Sequence, residues 1–108
     1  MRQLAVYMNN DKAGVLTENT LGKDYIFCYD EEYLLSELPP VSVTLPKRKE
    51  GYKSEYLFPF FTNMIPEGAN RKVICRSQRI DEHDFFGMLM AMVDKDFIGA
   101  VNIRRIAE

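Results

Sequence analysis

Arg2-Gln3-Leu4-Ala5-Val6-Tyr7-Met8 and, beyond Asn9-Asn10-Asp11-Lys12, Ala13-Gly14-Val15-Leu16-Thr17-Glu18 decide the fold class of this chain. Leu4, Val6 and Met8 fall on one face, the period of two that marks a half-buried strand. Asn9 to Lys12 is turn chemistry, because Asn and Asp tolerate positive φ. Ala13 to Glu18 returns as a second strand. Asn19-Thr20-Leu21-Gly22 turns again. Asp24 to Tyr29 then runs with Tyr25, Phe27 and Tyr29 on one side and Ile26 and Cys28 on the other. The pattern predicts a three-stranded antiparallel meander.

Outward from this block the pattern changes. Asp30 is placed to cap a short helix ending near Ser36, with Glu31 and Glu32 at its positive end. Pro39-Pro40 stops it. Val41 to Pro46 is β-branched and closed by proline, which predicts a fourth strand. Lys47 to Glu55 is charged and aperiodic, which predicts an exposed loop. Leu57 to Ile65 is densely apolar, and Pro66-Glu67-Gly68 breaks it. Ala69 to Arg79 is expected to be helical, with Val73 and Ile74 inward. Asp81-Glu82-His83-Asp84 forms an acidic helix start. Phe85, Met88, Leu89 and Met92 follow at helical spacing. Gly99 to Ile106 closes as a last strand. The expectation is one α+β domain over residues 1–108: an antiparallel sheet of about five strands packed against two or three helices.

Composition narrows the function. The chain has 108 residues and a net charge of −2. One modest core fits in that length; a two-lobed catalytic machine does not. Dedicated nucleic-acid binders carry a basic excess, so direct nucleic-acid binding is disfavoured. No apolar run approaches a bilayer span, and residues 1–12 are interrupted too early for a signal peptide. A cytoplasmic location without membrane contact is expected. Cys28 and Cys75 read as two buried thiols in a reducing compartment.

The search for chemistry is mostly negative. No glycine-rich phosphate cradle occurs. His83, the single histidine, sits among carboxylates at a helix start, where a solvated role outweighs a catalytic one. The acidic clusters suit helix capping. The methionines at 88, 90 and 92 read as core filler. No catalytic residue, cofactor or metal site is expected. The Lys47-Arg48-Lys49 stretch with Tyr52, Lys53 and Tyr56 combines cations and aromatics, as interface anchors do. We take Tyr52 or Tyr56 as the anchor, since a loop outside the core leaves its rings free for a partner. Phe58, Phe60 and Phe61 are expected to divide between core and surface. Glu67 and Arg71, at i and i+4, are spaced to pair.

Several segments together resemble a known family. Tyr7-Met8-Asn9 with Ala13-Gly14-Val15-Leu16 is similar to the opening hairpin of HipA proteins. Phe27-x-Tyr29-Asp30-x-x-Tyr33-Leu34 and Pro40-Val41-Ser42-Val43-Thr44-Leu45-Pro46 resemble their next segments. The most specific match is Phe58-Pro59-Phe60-Phe61-x-Asn63-Met64-Ile65-Pro66-Glu67-Gly68 with Arg71. Asp84-x-Phe86-x-x-Leu89 and Gly99-Ala100-Val101 complete the order. Where the family commonly has Gly-x-Asp-Cys, this chain has Asp94-Lys95-Asp96-Phe97.

HipA proteins are serine/threonine kinase toxins of bacterial toxin–antitoxin systems. The resemblance is to their N-terminal subdomain alone, and a start at Met1 with an end at Glu108 reads as a separate product. It implies a HipS-like antitoxin that is not an enzyme. Such an antitoxin binds and neutralises a HipT-type kinase toxin, beside a HipB-type helix-turn-helix protein. The residues expected to meet the partner are Arg48, Tyr52, Tyr56, Phe60, Phe61, Asn63, Glu67 and Arg71. A second reading is a non-inhibitory structural subunit that completes a split HipA-like kinase and bridges it to a HipB-type DNA-binding protein.

Overall fold

A computed structural model describes residues 1–65, 68–93 and 101–106. Strands β1 (Arg2–Met8), β2 (Asp11–Thr20) and β3 (Lys23–Tyr29) form the expected meander. Its first turn is tighter than predicted. Only Asn9 and Asn10 lie outside the strands, and Asn9 takes φ 55°. Helix α1 (Glu31–Leu35) follows, then β4 (Tyr52–Ser54), α2 (Pro59–Thr62), α3 (Ala69–Gln78), α4 (Phe85–Ala91) and β5 (Val101–Arg105). The sheet order is β4-β3-β2-β1-β5, and every pairing is antiparallel. The architecture is α+β, with four helical segments of which α1 and α2 are about one turn each.

One strand arises in a different place from the one expected. Val41 to Pro46 is not a strand; a single bridge between Ser42 and Leu45 closes a turn there. The Tyr29 hydroxyl accepts the Val41 N–H at 3.1 Å and donates to the Leu45 carbonyl. Backbone groups satisfied by a side chain have no need of a ladder. Instead β4 forms inside the stretch expected to be loop. Tyr52, Lys53 and Ser54 pair with Phe27, Ile26 and Tyr25. An edge strand needs one neighbour only, and a lysine on it suits an edge.

The inner face of the sheet carries the core. Leu4, Val6, Leu16, Phe27 and Ile103 have 0–1% exposure. Phe61 packs its ring 5.7 Å from Phe27, and Phe86 lies 6.3 Å from Tyr25. Tyr33 stacks on Tyr29 at 5.9 Å. Each such ring contributes about 1.5–3 kcal/mol by leaving water. In α4, Phe86, Met88 and Leu89 are buried; Met88 fills the core as expected, Met90 packs partly against it, and Met92 is half-buried.

Two burial expectations are corrected. Val73 is 65% exposed, and Cys75 is the buried residue of α3. Two residues turn a helix by about 200°, so these side chains cannot share a face. Cys28 is exposed, because alternation along β3 turns it away from Phe27 and Tyr29. The final strand is described over Val101–Arg105. Gly99, Ala100 and the Asp94–Phe97 step lie outside the described residues, as do Pro66 and Glu67. Among the described residues no helix is long and apolar enough to cross a membrane.

Candidate functional site

The β2–β3 hairpin, the segment after β4, α2 and the start of α4 meet at one end of the inner face. Gly22 has φ 82°, a conformation L side chains rarely adopt, and lets the hairpin turn within two residues. Leu21 is pushed to the tip, where it is 78% exposed. Across from it, the Glu55 carbonyl accepts the Asp24 N–H at 3.3 Å. Tyr56 donates its backbone N–H to Ser54 Oγ at 3.2 Å and is 74% exposed.

These elements enclose a pocket of about 150 Å³. Tyr25 and Leu57 line it from the core, Thr62 from α2, and His83 and Phe85 from the start of α4. Gly22 and Tyr56 complete it. At ~30 Å³ per water, the space suits one apolar side chain or a handful of waters. The Arg71 guanidinium lies over the Phe85 ring at 5.6 Å, which brings the basic face of α3 beside the pocket.

A partly buried ionic network ties this end together. Glu18 is 2% exposed. It accepts from Arg2 Nε at 2.7 Å, from the Tyr25 hydroxyl at 3.1 Å and from the Gly22 N–H at 3.2 Å. Arg2 also reaches Asp84 at 2.8 Å, and its guanidinium lies over the Phe86 ring at 5.2 Å. Asp84 in turn caps α4 by accepting the Gly87 N–H at 3.0 Å. A Cβ on Gly87 would fall 2.3 Å from Asp84 Oδ2, so this cap requires glycine. The hydrogen bond from Arg2 holds the Asp84 carboxyl below the usual range, and the Asp84 contact raises Arg2 in return. Burial, then the Glu18 carboxylate, push the Tyr25 hydroxyl up to about 12.

The structure separates the residues expected to bind a partner. Tyr52 is engaged within the domain: its hydroxyl donates to the Pro46 carbonyl, and Arg48 lies over its ring at 3.7 Å. Lys47 is not merely solvated. Its Nζ donates to the Ser36 and Leu38 carbonyls at 2.8 and 2.9 Å, closing the end of α1. Phe61 is fully buried, Phe58 nearly so, and Phe60 packs partly against the core. Asn63 is exposed and Arg71 half-buried. Glu67 lies outside the described residues. Of the set, only Tyr56 lines the pocket, with Arg71 beside it. Leu21 at the neighbouring turn tip, and His83 and Phe85 in the pocket lining, were not foreseen. An apolar residue at a turn tip, as in Asn19-Thr20-Leu21-Gly22, was the readable signal for the first.

The sequence profile of the HipA N-terminal domain matches residues 4–104. An uncharacterized protein of Haemophilus influenzae is 31% identical over 104 residues, covering 96% of this chain and 92% of that protein. A putative kinase, Y4mE of Sinorhizobium fredii, is 31% identical over 90 residues, covering 82% of this chain and 21% of the kinase. This chain therefore corresponds to about a fifth of that kinase. Among solved structures, the N-terminal domain of HipA toxin superposes with a TM-score of 0.74 at 24% identity, covering 100% of this chain and 95% of that one.

Proposed function

The chain belongs to the HipA N-terminal domain family, and from that membership we propose that it is a HipS-like antitoxin that binds and neutralises a HipT-type kinase. One observation supports this above the others. Related sequence makes up 92% of one relative and 21% of a putative kinase. A domain found both nearly alone and inside a kinase-sized chain retains a surface shaped to meet the rest of that chain. It carries no phosphate cradle in its sequence, so its own role is to bind rather than to transfer phosphate.

Inhibition would be steric. A docked domain occludes a nucleotide or substrate cleft, or holds a mobile loop away from its productive position. Tyr56 is the anchor, because it is the tyrosine of its loop whose ring is exposed. Leu21 and Asn63 extend the contact. Arg71 and the Arg48–Tyr52 stack supply positive charge, which is steered toward the acidic metal-binding cleft of a kinase. We place the pair in the cytoplasm, with a HipB-type protein as a further component.

The test is phosphoryl transfer by a HipT-type kinase with and without this chain. We expect binding and loss of activity, and a tenfold or greater weakening by Tyr56→Ala with Leu21→Ser. Absence of binding overturns the proposal. Binding with unchanged or raised activity favours the structural-subunit reading instead.

A further inference from the structure

The chain carries −2 overall, but its charge is spread unevenly. Residues 68–80 hold four of the fourteen cations, Arg71, Lys72, Arg76 and Arg79, and none of the sixteen acids. That segment is therefore +4 and the remainder −6. Helix α3 presents most of this charge to solvent. Lys72, Arg76 and Arg79 are exposed, and none of the three forms an ion pair with a described residue. Arg71 leans over the Phe85 ring at 5.6 Å instead. Asn70, Ser77 and Gln78 are exposed as well, with Val73 the apolar member of the set. We propose that this exposed cationic face of α3 binds the phosphate backbone of a nucleic-acid duplex, without reading its sequence. The proposal goes beyond the kinase-binding reading, which uses other residues.

Two choices in α3 work against the helix itself. Its first turn has no acid and carries Arg71 and Lys72, whereas the helix dipole favours negative charge there. Its C-cap, Arg79, takes φ 55° and ψ 47°. Glycine is the residue that fits this left-handed position without a Cβ penalty. The negative end of the dipole suits the charge of Arg76 and Arg79, but it explains neither Lys72 nor the strained backbone of Arg79. A helix that needed only solvation would keep acids in its first turn and glycine at its end. Departures from local preference that bring the fold nothing mark a surface used for something else.

The side-chain types select the partner. Lys, Arg, Ser, Asn and Gln are the groups that contact phosphate oxygens. The centre of a protein–protein interface is instead rich in aromatic residues and Met, and poor in Lys and Ser. The exposed residues of α3 include no aromatic and no Met. Single strands are held largely by stacking on aromatic rings, so a duplex is the better fit. Net charge disfavours nucleic acid for the chain as a whole, but it averages over a face on which only cations stand.

The test is fluorescence anisotropy of a labelled, random-sequence DNA duplex titrated with the full chain at several salt concentrations. With three cations on phosphates, we expect a Kd on the order of 10⁻⁴ M near physiological salt, and a slope of log K against log salt of about −2.7. Lys72→Gln and Arg76→Gln, checked for folding by circular dichroism, should each make that slope shallower by about 1. Arg79→Gly should weaken binding and raise the melting temperature together, because glycine relieves the backbone while removing the charge. Arg79→Gly that binds like the wild type overturns the proposal. Equal weakening by Lys53→Gln or Arg104→Gln, which change cations on the sheet, overturns α3 as the site. No binding at low salt overturns the proposal outright. Binding of polyglutamate but not of the duplex assigns the face to an acidic protein and overturns the nucleic-acid assignment. None of these outcomes bears on inhibition of a kinase, so the two readings fail separately.

Discussion

Two faces of one sheet, built from the same strands, have opposite characters. On the inner face every strong interaction is satisfied within the domain. Aromatic rings fill the space over Phe27, and Glu18, the one buried carboxylate among the described residues, has three donors. On the outer face the same strands leave Val15 and Ile26 half-buried and Cys28 exposed, and Arg104 lies 4.1 Å over the Tyr7 ring. The difference teaches that alternate residues of one strand are divided between core and surface. A single step along β3, from Phe27 to Cys28, passes from full burial to exposure.

Substitutions can break or sharpen this contrast, beginning with the largest effect. Phe61→Ala removes a fully buried ring and should cost about 3–5 kcal/mol of stability, measured by chemical denaturation. An equal cost from Ile26→Ala would erase the distinction between the faces. Glu18→Ala leaves Tyr25, the Gly22 N–H and Arg2 Nε without their acceptor, with Arg2 still held by Asp84, and should cost about 2–3 kcal/mol. Glu18→Gln, which keeps an acceptor, should cost less.

Acid should act through the same network. Asp84 has its folded-state pKa lowered beneath the ordinary 3.8 by Arg2. Its stabilising contribution is therefore present above that ordinary value and lost as pH falls through the folded value. Between pH 5 and 3 the wild type should lose more stability than Asp84→Asn; parallel decline in both would remove Asp84 from the acid response. Tyr25 behaves in the opposite sense. Its neutral hydroxyl contributes fully below pH 10, and the contribution is lost as pH rises through about 12. Burial raises Tyr29 and Tyr33 as well, so ultraviolet titration should show several late tyrosines, and Tyr25→Phe should remove the step near 12. The smallest stability effect is expected for Tyr56→Ala, within about 0.5 kcal/mol, since an exposed ring contributes little to its own domain.

Much of the fold was legible because it is written in neighbouring residues. The alternation of Leu4, Val6 and Met8, and of Tyr25, Phe27 and Tyr29, needs no knowledge of the rest of the chain. What stayed hidden depends on partners distant in sequence. Val41 to Leu45 has strand composition, yet its backbone groups are taken by a tyrosine hydroxyl 12 to 16 residues earlier. β4 is three residues long and charged, so no periodicity could announce it. Glu18 looks like a solvated strand residue until Arg2 and Asp84 arrive beside it. Of the residues lining the pocket, only Tyr56 stood among the expected contacts, because the other walls come from separate elements.

The pairing of β1 with β5 also has a consequence in time. Strand β1 is completed on its second side by β5, more than ninety residues later in synthesis, since Met8 pairs with Val101. At about 5–20 residues per second, the β1 edge stays open for roughly 5–20 s during synthesis. A nascent chain with an unpaired edge is a template for another strand. For that interval the domain is both incomplete and adhesive, so the pace of translation past residue 101 sets how long it remains open to misassociation with a neighbour.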